Sequence, residues 1–406
     1  MQMELAVRRQ RRTARVIGLV STAHFFSHFF MLLLPPLFPM LREVYGVGFT
    51  ELGLAIAVYS TTTALTQAPV GFLVDRVGAR AILVTGLVLE SLAFVLIGLF
   101  PSYAALIVLM VLAGLGNAVF HPADYSILNA SVDKERMGRA FSIHTFAGML
   151  GNAVAPVTMI FLISLTDWRN ALILCGLAGV AVAVALSLSS SVLVDDGPEA
   201  GSGDGADQAY SGSALRLLFS VPIISGLLFF IGISVTSHGI STFSVSTLTL
   251  IYDEPLTTVG FVLTAYLFAT PAGVLLGGWV ADRVRRHDLV AAACFVIMAL
   301  CVFTVAAVPM PLAAVAALFA ATGLFSGMVS PSRDMMIRSV TPRGEMGKVF
   351  GFVSTGFNIG GMIAPLIFGY ILDHAAPSSV FWVVGLAALA TVGTVLFTGR
   401  KGRRNR

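Results

Sequence analysis

Ionisable side chains stand inside long apolar runs of this chain, and a polar group held in hydrocarbon is costly enough to be read as functional by default. His24 and His28 lie four residues apart, on one face of a helix. His238 follows His28 at an offset of 210 residues. Imidazoles of this kind can shuttle protons or hydrogen-bond a solute; the structural alternative is that they bond only to one another within a bundle. His121, Pro122, Ala123, Asp124 and Tyr125 form the densest constellation. There Asp124 can exchange a proton, with His121 reporting or relaying its charge, unless it serves only as an ion-pair partner for a cytoplasmic arginine. Arg333 and Asp334 stand further on, Arg333 being the single basic residue inside an apolar run. Its planar guanidinium suits bidentate capture of a carboxylate, phosphonate or phosphate, or else it reaches down to cytoplasmic water.

The elements that must hold these groups follow from composition. Of 406 residues, 57% are hydrophobic and 11% charged, with a mean hydropathy of +0.89. An ordinary soluble domain carries about 25% charged residues, so this is an all-α integral membrane protein. Taking about 20 apolar residues per span gives twelve transmembrane helices. A Gly-, Ser- and Asp-rich stretch separates the first six from the last six and reads as a flexible linker. The division is residues 1–194 as an N-terminal six-helix bundle, 195–214 as a cytoplasmic linker, 215–398 as a C-terminal bundle and 399–406 as a basic tail. The apolar run after the basic leader is too long for a secretory signal and lacks a small-residue cleavage site, so the first helix is expected to be retained. Cys175, Cys294 and Cys301 all fall in apolar runs, and neither a disulfide nor a metal framework is visible. No cofactor is expected.

With the N-terminus inside, 22 of the 25 Lys and Arg residues fall in cytoplasmic segments; only Arg42 and Arg169 lie outside, and Arg333 lies within a span. The positive-inside rule therefore puts both termini and the linker in the cytoplasm. The two halves are also repeats. Gly71, Asp75 and Arg76 recur as Gly278, Asp282 and Arg283 at an offset of 207. At an offset of 209, Gly114, Pro122, Gly138, Gly151 and Pro156 recur as Gly323, Pro331, Gly347, Gly360 and Pro365. Asp124 and Arg333 share that offset, so they are candidates for a bridge. Pro122 and Pro331 each remove a backbone donor, and both of their helices are expected to break at matching depth.

The stretch GFLVDRVGAR, residues 71–80, reads as a tight polar turn between two membrane helices. Twelve helices in two sets of six, with this turn after the second, resemble the major facilitator superfamily over essentially the whole chain. The resemblance implies two pseudo-symmetric six-helix bundles and makes Gly71, Asp75, Arg76, Gly78 and Arg80 gating-loop residues. Gly278, Asp282 and Arg283 are their counterparts in a second copy, where Arg285 and His287 replace the expected glycine and arginine. Residues 114–157, with their GLGNAVFHP run, basic loop and GN and AP pairs, are similar to the fosmidomycin-resistance-like efflux subgroup. That subgroup's acidic residue after the first-helix histidine is replaced here by Ser27 and His28.

In the superfamily the first, fourth, seventh and tenth helices line a central cavity. Substrate contacts are accordingly read at His24, His28, His121, Tyr125, His238 and Arg333, with Asn358 of the eleventh helix at the cavity edge, and proton coupling at Asp124, His121 and Asp334. His144 and Asn152 are read as cavity edges and Glu90 as packing or a lateral contact. The reading is a proton-coupled secondary transporter of a small, anionic organic molecule, working by alternating access, most simply an exporter. The alternatives are proton-linked uptake of an organic anion and, more distantly, a non-transporting membrane sensor. The chain has no P-loop and no recognisable catalytic arrangement, so it is not read as an enzyme. Its partners are a small-molecule substrate, protons and the lipid bilayer, not nucleic acid, and it is expected to act as a monomer in a bacterial inner membrane.

Overall fold

The computed structural model describes residues 2–133, 136–189, 193, 216–342 and 345–404, with residues 2–9, 347 and 399–404 described through their backbone alone. The linker 195–214, the side chains of the basic tail, Lys134 and Arg343 lie outside the described residues. The described chain is helical throughout: α1 (Gln2–Met31), a 3-10 turn (Pro35–Leu37), α2 (Phe38–Tyr45), α3 (Phe49–Val77), α4 (Ala79–Leu99), α5 (Tyr103–Asn117), α6 (Phe120–Ser131), α7 (Met137–Leu165) and α8 (Trp168–Leu188). There follow α9 (Val221–Tyr252), α10 (Leu256–Ala281), α11 (His287–Ala307), α12 (Leu312–Val340), α13 (Met346–His374) and α14 (Ser379–Arg404).

Among the described residues, eleven segments are long and apolar enough to cross a membrane. The twelfth span is α3, whose middle carries Ser60, Thr61, Thr62, Thr63, Thr66 and Gln67. Its hydroxyls turn back on backbone carbonyls, Thr62 onto Val58 at 2.8 Å and Thr66 onto Thr62 at 2.7 Å, so a polar sequence still builds a self-satisfied helix.

By packing, the chain divides into two compact units. The first joins Met1–Leu34 to Val58–Ala206. Here α1 lies on α7 and α4 lies on both α8 and α5. Glycines set these approaches. A Cβ on Gly151 would strike the Phe25 carbonyl oxygen, and one on Gly116 would come within 2.7 Å of the Gly86 carbonyl oxygen. Outside the spans, Asp167 caps α8 by accepting from the Arg169 and Asn170 amides at 2.8 and 3.1 Å. The Asn170 amide is the main cause that holds this carboxyl below its ordinary range.

The second unit joins Pro35–Ala57 to Asp207–Arg406. The segment 35–57 is early in the chain, yet its partners are late. Asp373, at the end of α13, accepts from the Phe49 and Thr50 amides at 2.8 and 2.7 Å and from the Thr50 hydroxyl at 2.6 Å. It thereby caps α3 from 324 residues away. Within this unit α10 and α12 pack closely through Gly273 and Gly277 on one helix and Gly323 and Gly327 on the other. A Cβ on Gly277 would come within 2.7 Å of the Met328 Cα, and one on Gly323 would strike the Tyr266 carbonyl oxygen. These are small-xxx-small pairs of the kind that bring membrane helices together.

Two sequence expectations are corrected. The ten-residue turn shrinks to one residue, because α3 runs on through Asp75 and Arg76 to Val77 and α4 begins at Ala79. Gly78 alone makes the corner, with φ at +99°, a conformation that side-chain-bearing residues rarely adopt. In the second copy Arg285 stands at that position, and the connection lengthens to the residues between Ala281 and His287. The matched breaks also come out unequal. The fourth span is interrupted at Ala118–Val119, ahead of Pro122, whereas α12 continues unbroken through Pro331. Pro122 sits in the first turn of α6, where a missing amide costs little, and Pro331 is absorbed inside a closely packed helix.

Candidate functional site

The break in the fourth span starts α6 at Phe120, and this short helix carries His121, Asp124 and Tyr125. Asp124 is fully buried. Its Oδ2 is reached by His144 Nε2 from α7 at 2.9 Å and by His24 Nδ1 from α1 at 3.2 Å. The first contact is a hydrogen bond. The second is close but off axis, since His24 Nδ1 has no hydrogen-bond partner among the described residues, and neither has Asp124 Oδ1. The His24 and His144 rings stack with centroids 3.7 Å apart, and His28 meets His24 edge-on at 4.7 Å. The edge-on ring is fixed in turn by a 3.0 Å contact between His28 Nδ1 and Asn152 Nδ2. An amide NH₂ can only donate, so His28 Nδ1 accepts and its proton sits on Nε2. Gly148 makes room for this packing, because a Cβ there would lie 2.9 Å from His24 Nε2 and 2.8 Å from His28 Cδ2.

His121 and Tyr125 form the open rim. Both are exposed, with the His121 ring 5.4 Å from His24 and 5.8 Å from Tyr125. Asp124 therefore has histidine neighbours, the closest of them His24 and His144, and His121 lies at the edge against His24 and Tyr125. His144 and Asn152, read from the sequence as cavity edges, contact Asp124 and His28 directly. Their only sequence signal was position on the helix that repeats as α13.

The second unit holds the other group of predicted residues. Arg333 Nε pairs with Asp334 Oδ1 at 2.8 Å. The guanidinium lies over the rings of Phe230 and Phe357, 5.1 and 5.4 Å from their centroids. Stacking of this kind holds a charge in an apolar setting while leaving the edge of the fork free for an anion. Phe357 precedes Asn358, which is half-buried, and its carbonyl accepts from Ser234 Oγ at 2.8 Å. His238 Nδ1 lies 2.9 Å from the Ser234 carbonyl oxygen in its own helix. The carbonyl can only accept, so Nδ1 carries the proton. The two aromatic faces around Arg333 were not singled out in the sequence, where phenylalanine is too common to mark a site. Each of the offset-related partners, Asp124 and Arg333, finds its partners inside its own unit.

The gating-loop residues divide by exposure. Asp75 and Arg76 are exposed at the end of α3, and Gly71 and Asp75 line a 370 Å³ cavity with Ala68, Phe72, Pro122 and Ser126. Asp282 is the exposed C-cap of α10, and Arg283 lies 4.1 Å over the Trp279 ring while donating to the Trp279 carbonyl at 3.0 Å. Glu90 takes part in a separate buried contact, with Oε1 accepting from the Tyr59 hydroxyl at 2.8 Å and from Asn117 Nδ2 at 3.3 Å.

Comparison with known proteins decides the family. The model of the Major Facilitator Superfamily matches residues 20–254 and 227–406. The chain belongs to this superfamily. A probable L-galactonate transporter of Escherichia coli is 24% identical over 251 residues, 60% of this chain, and the chain spans about half of that relative, 55% of its length. The fosmidomycin resistance protein of Escherichia coli is 23% identical over 391 residues, 95% of this chain and 93% of its own. The superfamily fold is seen in a bacterial homologue of the human lysosomal transporter Spinster, solved in an inward-facing, unoccupied conformation. That structure covers 97% of this chain with a TM-score of 0.77 at 14% identity. The superfamily consists of transporters and the chain is a multi-pass membrane protein.

Proposed function

We infer that this protein is a proton-coupled secondary transporter of a small organic anion, working by alternating access as an exporter that exchanges solute for protons. The observation that carries this reading is the buried Asp124 carboxyl, approached at one oxygen by two imidazoles and left without a partner at the other. Carboxylate and imidazole trade protons readily, and proton relay is among the uses of ionisable groups within membrane spans. His121 and Tyr125, at the exposed rim, supply the route by which protons or solute reach it. The anion is received by Arg333, whose charge is held between two aromatic faces, with His28, His238 and Asn358 as further solute contacts and Asp334 as the group that an arriving anion displaces.

The Gly71–Arg80 corner and its second copy act as the gate on the cytoplasmic side, with both termini in the cytoplasm and the protein working as a monomer in a bacterial inner membrane. The six-helix halves, residues 1–194 and 215–398, are the bodies that alternate. Likeness to a resistance protein supports export; likeness to a galactonate transporter supports the second reading, proton-linked uptake of an organic anion. Proteoliposomes given a pH gradient of each sign separate the two. Exchange accumulates substrate inside the vesicles under an outward proton gradient, symport accumulates it under an inward one, and transport indifferent to pH removes both.

A further inference from the structure

We propose that His24, Asp124 and His144 form a binding site for one divalent transition-metal ion of the zinc class. The inference starts from atoms that the hydrogen-bond pattern leaves over. Asp124 and His24 are both more than nine-tenths buried, and Asp124 Oδ1 and His24 Nδ1 have no hydrogen-bond partner among the described residues. Buried polar atoms are nearly always satisfied, so two orphans in one cluster need an explanation. His24 Nδ1 is only 3.2 Å from Asp124 Oδ2 without being aligned to it.

The dimensions fit a metal centre. One ligand atom from each residue lies within 4.8 Å of the others, and the carboxylate-to-imidazole separations are 2.9 and 3.2 Å. With metal–ligand bonds of about 2.0 to 2.1 Å, the edge of a coordination tetrahedron is roughly 3.3 Å. Turning the two imidazoles out of their 3.7 Å stack brings three ligands to three corners, and the fourth is left to water. Two imidazoles and a carboxylate select zinc, cobalt or nickel over magnesium or calcium, which prefer oxygen alone. The surrounding packing supplies the orientation such sites require, with His28 braced by Asn152 against the His24 ring and Gly148 clearing space for both. Metal enters as imidazole and carboxyl protons leave, so the ion and the proton of the proposed coupling compete for the same atoms. The binding proposal itself does not depend on that coupling.

The test uses full-length protein purified without a polyhistidine tag and stripped with chelator, titrated with Co²⁺ in the visible region and then with Zn²⁺ in competition. The expected result is a single saturable cobalt spectrum of low-symmetry, tetrahedral intensity at one equivalent, displaced by one equivalent of Zn²⁺. His144→Ala and His24→Ala should each weaken binding by at least about tenfold, the scale on which even outer-shell losses act. His374→Ala, at an exposed histidine, should change nothing. Thermal unfolding and size exclusion check that each variant is folded, and His144→Gln serves where the alanine variant is not. A spectrum that survives both histidine variants, or one that never saturates, overturns the proposal. Proton-driven transport measured separately in chelator-treated vesicles keeps a failure of metal binding distinct from a failure of coupling.

Discussion

At Asp124 a single carboxyl is asked to gain and lose a proton inside a packed bundle. Asparagine keeps its size and can still bond to His144, but it cannot ionise. Asp124→Asn is therefore expected to abolish gradient-driven accumulation in proteoliposomes while substrate binding by the purified protein persists; unchanged accumulation would remove Asp124 from coupling. Arg333 is tested by a substitution that keeps the charge and discards the shape. Arg333→Lys loses the planar fork and its stacking on Phe230 and Phe357, and a lost charge-assisted hydrogen bond of about 1.5 kcal/mol weakens an anionic substrate roughly tenfold. Equal affinity in the two proteins would mean that Arg333 does not touch the solute. These residues were legible in the sequence because ionisable groups are rare in apolar runs. Their partners were not. His144 reaches Asp124 from another helix, and the rings around Arg333 are phenylalanines among 29 in the chain.

Helices α3 and α4 meet at a corner of one residue, and its geometry explains why the motif carries a glycine there. At φ +99° a residue bearing a Cβ is strained. Gly78→Ala is expected to lower stability by ~1 to 3 kcal/mol, read as a drop in the midpoint of thermal unfolding, together with slowed transport. Arg285→Gly, at the equivalent place in the second copy, should leave the midpoint nearly unchanged, since that loop is already long enough to turn without it. Span number could be read from the chain because hydropathy is a local signal, whereas the corner was placed but not narrowed to Gly78, since Asp75 and Arg76 read as loop residues although the helix carries them. The unequal treatment of Pro122 and Pro331 could not be read. Both prolines sit at the same repeat position, and only the surrounding packing decides that one lies beyond a break while the other is carried within a helix.

At the level of the whole molecule, each compact unit holds its own chemistry, a histidine–aspartate cluster in one and a stacked arginine in the other. The cap that Asp373 places on α3 belongs to this scale, since it joins residues 324 apart. Asp373→Ala leaves the Phe49 and Thr50 amides without their acceptor, and the loss of such a cap costs ~0.5 to 2 kcal/mol. A lowered unfolding midpoint is expected, with partial recovery in Asp373→Asn, which still offers one oxygen. An unchanged midpoint in the alanine variant would show that water replaces the carboxylate at no cost. Composition gave no hint of this contact, because an aspartate near a helix end looks like any other loop residue until the fold brings a distant helix to it.

That cap also carries a consequence for how the protein is made. A ribosome delivers Phe49 and Thr50 early, whereas the carboxylate that receives their amides arrives only when almost the entire chain has left the tunnel. Every nascent fragment ending before residue 373 must therefore wait in the bilayer with the head of its second span unsealed, and products truncated before that aspartate should be recognised by quality-control proteases at the exposed turn.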